Sequence, residues 1–203
     1  MSITAPCENQ IAPPLPPARW RREHWVDLGL TSLAASGPDS LKIERLCEVA
    51  GRSKGSFYHH FHDQQAFIDA LLERWRASHR ASVAAALSAV QNRRESIVLL
   101  DYLSARTDPA LETGMRRLAH INTAAQDAIA ETDAARIDTI ASLYAGKTDA
   151  VQARELAEIE YAVYVGHQVL GRDFADGAMA RRAALFRLMV KTVIRLAPRP
   201  DGT

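Results

Sequence analysis

The chain has 203 residues, 47% of them hydrophobic and 24% charged, with a formal net charge of +1. That length fits one large domain or a small domain joined to a larger one, and the composition supports a packed core beneath a charged surface. So nearly neutral a chain is not a broadly basic nucleic-acid binder, and any affinity for DNA must come from local placement of charge.

Residues 1–17 read as a disordered tail, because Pro13, Pro14, Pro16 and Pro17 forbid a continuous helix. Residues 198–203, which start at Pro198, read as a frayed end. Everything between has helical periodicity, with no alternating strand pattern and no repeat. A first helix is expected from about Arg19 to Ala35, with Trp25, Leu28, Gly29, Ser32 and Leu33 on one buried face. Ser36-Gly37-Pro38 ends it. Ser40 is expected to cap a short helix over about Leu41 to Ala50, followed by a tight turn at Gly51-Arg52-Ser53 and a third short helix over about Lys54 to His60. Asp63 is the expected N-cap of a long fourth helix, in which Phe67, Ala70, Leu71 and Trp75 share a face. Further helices are predicted near 93–106, 109–119, 122–145, 149–172 and 177–196. Their start signals include Asp108 before Pro109, a capping box of Asp149 with Gln152, and Asp176. The total is about nine helices, with the short ones crowded into the first quarter.

Two short helices packed across a brief turn need particular residue types. Leu46 and Val49 are expected to supply the apolar face of the first, and Ala50 is small enough to let the second approach. Gly51 can take the positive φ of a sharp turn, and Ser53 can cap the next helix. Phe57 and Phe61, four apart, anchor that helix from behind. Its other face carries Lys54, Ser56, Tyr58 and His59. Lysine can bond guanine or phosphate, and hydroxyls bond phosphate oxygens. At Gly55 the backbone itself can approach DNA, and Arg52 adds charge in the turn. Arg19, Arg21, Arg22 and Lys42 lie near the first two helix N-termini, which attract phosphate. On spacing alone, an ordinary helical hairpin with a polar outer face fits as well.

The string from Leu46 to Phe61, LCEVAGRSKGSFYHHF, closely resembles the helix-turn-helix of the tetracycline-repressor-like (TetR) family of transcription regulators. That family usually shows an aliphatic-alanine pair, then Ala-Gly-aliphatic-Ser, Gly-Thr-aliphatic-Tyr and His-Phe. The resemblance covers residues 19–75 and includes the position near the N-terminus. It implies an all-α fold: an N-terminal three-helix helix-turn-helix DNA-binding domain, residues 18–64, then a helical effector-binding and dimerisation domain, residues 65–197. It implies DNA contacts at Arg19, Lys42, Arg52, Lys54, Gly55, Ser56, Tyr58, His59, His60 and Gln64. Three positions depart from the pattern. Cys47 stands where alanine is usual, Arg52 replaces a small aliphatic residue, and Gln64 stands where a phosphate-touching lysine is common. The last change removes about one phosphate contact.

The last helices are apolar on more than one side. Leu185, Leu188, Met189, Thr192, Val193 and Leu196 form one stripe of the final helix, and Phe186, Val190 and Ile194 form a second. Leu156, Ile159, Val163, Gly166 and Leu170 do the same in the helix before it. Such stripes fit either a second copy on one face or a monomer with a deeply buried final helix. The resemblance implies a homodimer, with Leu156, Ile159, Val163, Leu185, Phe186, Met189, Val190 and Val193 at the interface, reading double-stranded DNA at a near-palindromic operator. It also implies a small-molecule effector enclosed by the middle helices. The candidates to meet it are Tyr102, Met115, His120, Tyr161, Tyr164 and His167. Tyr161, Tyr164 and His167 follow one another at i, i+3 spacing and each carries a polar group. A mostly apolar pocket with few polar groups favours a hydrophobic or aromatic effector, whose binding would release a repressor.

Other function classes find little support. His59, His60 and His62 lack a Cys or an acidic pair to complete a metal site, so neither metal nor cofactor is expected. No inward Glu-x-x-His pair and no nucleophile motif is present, so an enzyme is not expected. Cys7 and Cys47 form neither a disulfide framework nor a zinc spacing, which fits a reduced, cytoplasmic protein. There is no run of about 18 apolar residues and no basic-then-apolar N-terminus, so neither a membrane span nor a signal peptide is expected. The alternatives are a DNA-binding regulator without an effector and a helical-bundle enzyme or metal-binding protein.

Overall fold

The computed structural model describes residues 20–89, 108–145, 147–170 and 178–196. They form eight α-helices and one short 3-10 helix, with no strand among the described residues. The helices are α1 (Arg22–Ser36), α2 (Ile43–Ala50), α3 (Lys54–Tyr58), α4 (Gln64–Ala89), α5 (Pro109–Ala119), α6 (Thr123–Tyr144), α7 (Ala150–Val169) and α8 (Ala178–Leu196). The 3-10 helix, Pro38–Leu41, links α1 to α2. The predicted helix at 93–106, and the start signal at Asp176, lie outside the described residues.

Local chemistry explains most boundaries. Gly37 ends α1 at φ 77°, and Pro38 then starts the 3-10 turn. Ser40 does not cap α2, as the sequence suggested. Its hydroxyl turns back to donate to the Gly37 carbonyl at 2.6 Å, which makes it part of the 3-10 turn and leaves Lys42 as the capping residue. Asp63 caps α4, Asp108 caps α5, Asn122 caps α6 and Asp149 caps α7, each through a side-chain oxygen accepting a first-turn N–H. The expected capping box of α7 is only half formed, because the Gln152 side chain accepts from the Thr148 hydroxyl instead of reaching Asp149.

The main core is built by α1 to α6. Trp25, Leu33, Leu46, Phe57, Phe67 and Leu71 are fully buried in it, and Met115, Ala125 and Ala128 close it from the α5–α6 side. Helix α1 lies along α5 so closely that a Cβ on Gly114 would sit 2.7 Å from the Leu33 carbonyl oxygen, so this position requires glycine. A second, smaller cluster of Ile140, Ala157 and Tyr161 joins α6 to α7. No helix among the described residues is long and apolar enough to cross a membrane.

Candidate nucleic-acid interface

Helices α2 and α3 are set by the turn between them. Gly51 adopts φ 61° and ψ 38°, the left-handed conformation that suits glycine. The Gly51 and Arg52 N–H groups donate to the Glu48 and Cys47 carbonyls at 3.1 and 2.9 Å, closing α2. Ser53 then caps α3 by accepting from the Ser56 N–H at 3.3 Å. The buried face of α2 is Ile43, Leu46, Cys47 and Ala50, at i, i+3, i+4 and i+7. Val49, expected on that face, is 68% exposed. It falls on the far side of the helix, and Cys47 takes the inward place.

Phe57 anchors α3. Its ring meets those of Trp25, Phe61 and Phe67 at centroid distances of 5.3, 5.2 and 5.4 Å. Because Phe57 and Phe61 point inward, Lys54, Gly55, Tyr58 and His59 are left exposed along the outer side, with Ser56 half-buried beside them. The other expected contacts lie around this face. Arg52 is half-buried, with its guanidinium 6.0 Å from the Trp20 ring centroid. Lys42 is exposed and ion-paired with Asp39 at 2.8 Å. Gln64 is exposed, and its amide donates to the Leu41 carbonyl at 3.4 Å. His60 turns inward, and its Nε2 donates to the Trp20 carbonyl at 3.1 Å, tying the start of α1 to the turn after α3. Arg19 lies outside the described residues.

Lys54 is also paired. Its ammonium donates to Glu44 Oε1 at 2.6 Å, from α3 back to the first turn of α2. That hydrogen bond holds the Lys54 ammonium above its ordinary pKa and the Glu44 carboxyl below its own. His59 and His60 stack edge to face, with centroids 4.9 Å apart. Among the described residues, no group of three or more His, Cys, Asp or Glu side chains is placed to hold a metal.

The expected effector contacts divide. Tyr102 lies outside the described residues. Met115 is fully buried in the main core. His120 is exposed at the C-terminal end of α5. Tyr161 and Tyr164 stack with centroids 6.0 Å apart. His167 is turned to its own helix, donating to the Val163 carbonyl at 2.7 Å.

Tyr161 belongs to a buried charged network that sequence reasoning missed. Arg136 of α6 makes a two-pronged pair with Glu112 of α5, at 2.7 and 2.9 Å. The same guanidinium donates to the Tyr161 hydroxyl at 3.0 Å and to His79 Nδ1 at 3.4 Å. Trp75 donates to Glu112 at 3.1 Å. Arg116 holds Asp133 with two bonds of 2.9 Å and also donates to Tyr161, which in turn donates to Asp133 at 2.5 Å. Glu112 is 3% exposed and Arg136 9%. Burial, reinforced by the Asp133 hydrogen bond, raises the Tyr161 phenol above its usual range. Burial beside the Arg136 charge lowers His79 to about 4, so this imidazole stays neutral and accepts. One signal could have found the network. Arg136 occupies the same stripe of α6 as Ala125, Ala128, Ile129, Thr132 and Ile140, and Glu112 shares its face of α5 with Met115. A charge inside an apolar stripe needs a buried partner.

One more polar group stands out. Gln168 of α7 is 6% exposed, and among the described residues neither its amide nitrogen nor its oxygen has a hydrogen-bond partner. It lies one and two turns along the helix from Tyr164 and Tyr161.

The two apolar stripes of α8 face different ways. Leu185, Leu188, Met189, Val193 and Leu196 are between 44% and 78% exposed, whereas Val190 is buried and Phe186 half-buried. On α7, Ile159 and Val163 are exposed. Leu156 and Val190, grouped with the interface from sequence, point into their own chain, because each sits on the inward stripe of its helix.

No family model matches the sequence, and no curated protein matches it. Solved structures do match. NemR of E. coli in its reduced form superposes with a TM-score of 0.61 at 19% identity, covering 89% of this chain and 98% of that one. A protein from Rhodococcus sp. assigned to the TetR family of transcriptional regulators superposes with a TM-score of 0.57 at 18% identity, covering 85% and 97%. The chain has the all-helical, TetR-like fold over most of its length.

Proposed function

We propose that the chain is a DNA-binding transcription regulator that acts as a homodimer on a near-palindromic operator. The observation that carries this reading is the capped, glycine-turned pair α2–α3, in which buried Phe57 and Phe61 leave Lys54, Gly55, Tyr58 and His59 outermost. That arrangement supports insertion of α3 into a major groove, with Lys54 and Tyr58 reaching base edges or phosphates. The exposed stripe of Leu185, Leu188, Met189 and Val193, beside Ile159 and Val163, supports a two-fold helical interface that presents two copies of α3 to two half-sites.

A small, largely hydrophobic effector that releases a repressor is the finer part of the proposal. Gln168 supports it: a buried amide without a partner among the described residues, on the face of α7 that carries Tyr164, offers its donor and acceptor atoms to a ligand. Tyr161 is already satisfied by Arg116, Arg136 and Asp133, so direct ligand contact falls to Gln168.

Selection of duplexes from a random-sequence pool tests the DNA reading. The expected result is an enriched motif with two-fold symmetry, bound by a species of twice the chain mass in analytical ultracentrifugation. A folded protein that enriches no motif at any salt concentration overturns it. Thermal-shift screening of a metabolite library tests the effector, because a ligand specific for the native state raises Tm. A ligand whose shift survives Gln168→Leu unchanged removes Gln168 from the site.

A further inference from the structure

The two lysines among the expected DNA contacts are each held by a carboxylate of the same surface: Lys54 by Glu44 at 2.6 Å and Lys42 by Asp39 at 2.8 Å. All four side chains are more than half exposed, so neither pair is needed to satisfy a buried charge. Exposed pairs of this kind add little to stability. Their effect on a DNA-facing surface is larger, since each carboxylate cancels a positive charge where phosphates would bind and itself repels them.

The Lys54–Glu44 pair joins the two helices of the motif. Glu44 stands in the first turn of α2 and Lys54 is the first residue of α3. The Lys54 ammonium has three donors, and one is committed to Glu44 in the free protein. A phosphate or a guanine edge offers the same ammonium an acceptor of similar kind. Binding is then an exchange of one acceptor for another, and the net gain is smaller than a lysine contact would otherwise give.

We infer that Glu44 is an internal competitor for Lys54, an autoinhibitory contact that DNA must displace before the recognition face is fully engaged. This rests on the DNA-binding reading of α3 given above. It makes affinity for DNA weaker than the number of surface cations suggests. It also makes Glu44, which the family-like motif does not include, a determinant of that affinity.

A double-mutant cycle over Glu44→Gln and Lys54→Ala tests the inference. Affinity is measured by fluorescence anisotropy on a duplex selected by the wild-type protein and on a random-sequence duplex, with thermal melts confirming that each variant is folded. Glu44→Gln is expected to tighten binding by roughly two- to fivefold at low salt, the range released by freeing an exposed pair. The gain is expected to shrink as salt rises, and to fall by at least about half when Lys54 is already alanine. An equal gain in both backgrounds would mean that Glu44 only repels phosphate and does not compete for Lys54, which overturns the inference. Weaker binding by Glu44→Gln would mean that Glu44 orients Lys54 for contact, which also overturns it. If neither wild type nor Glu44→Gln binds any duplex, the DNA-binding reading fails and the inference with it. The first two failures leave that reading intact.

Discussion

Helix α4 borders two interiors of opposite chemistry. Its first half, with Phe67, Ile68 and Leu71, packs into an aromatic and aliphatic core shared with α1 to α3. Its later turns bring Trp75 and His79 against Glu112 and Arg136, where α5, α6 and α7 are joined by buried charges. The first interior is held by shape and by area removed from water. The second is held by pairing, because each charge is tolerable only while its partner stays in place. A truncation should therefore weaken the first according to the space it leaves. The second should fail abruptly when one partner is lost and recover when both are replaced.

The two largest expected effects are similar in size, one in each interior, and the first is in the aromatic core. Phe57→Ala removes a fully buried ring that touches Trp25, Phe61 and Phe67, and should destabilise the protein by about 3–5 kcal/mol. Denaturant unfolding measures it. A loss under about 1 kcal/mol would mean that the aromatic core collapses around the gap and is not held by shape.

Arg136→Met tests the other interior. It strands Glu112 in a buried site and should also cost about 3–5 kcal/mol. The contrast lies in the second step. Arg136→Met combined with Glu112→Leu should recover most of the loss, because the desolvation penalty goes with the pair. Trp75 and Tyr161 would each lose a partner, so complete recovery is not expected. A double variant no better than Arg136→Met shows that the two positions act independently.

These two interiors were not equally legible in the sequence. The helix-turn-helix could be read because its instructions are local: Gly51 for the turn, Ser53 for the cap, and Phe57 and Phe61 four apart for the anchor. Even there Val49 was misplaced, since a valine next to a tight turn reads as core while Cys47 reads as an oddity. The charged interior could not be read that way. Arg136 meets Glu112 across 24 residues and His79 across 57, and no local pattern links them. What local pattern did offer, a charge inside the apolar stripe of α6, says that a partner exists without naming it. The outward and inward stripes of α8 were legible as two faces, but only packing decides which residue belongs to which. Leu156 and Val190, grouped with the interface from sequence, are buried within their own chain.

A smaller effect separates the interiors by pH. The folded His79 pKa of about 4 lies below the unfolded value near 6.5. Between those values the unfolded chain binds more protons, so stability is lost as pH falls through that window. The aromatic core carries no such group. His79→Gln keeps a neutral acceptor for Arg136 and cannot gain the proton on unfolding. Its Tm should match the wild type near pH 7.5 and exceed it increasingly from pH 6 toward 4. Parallel Tm curves for the two proteins would show that His79 does not stay neutral against Arg136.

The smallest effect belongs at the start of α4, where the aromatic interior meets the proposed DNA surface. Gln64 is exposed, and its one described bond, to the Leu41 carbonyl, is long at 3.4 Å, so Gln64→Lys should change Tm little. The added ammonium restores a charge at the position where relatives of the motif commonly place a phosphate contact. Affinity for a selected duplex should rise a few-fold, and the slope of log K against log salt should steepen by about 0.9, the value for one further phosphate neutralised. The slope decides the matter. Tighter binding with an unchanged slope would place the new lysine away from the backbone. A steeper slope would locate DNA against the N-terminal end of α4, beside the aromatic core. The proposed recognition face would then rest on the interior held by shape, with the charged interior behind it.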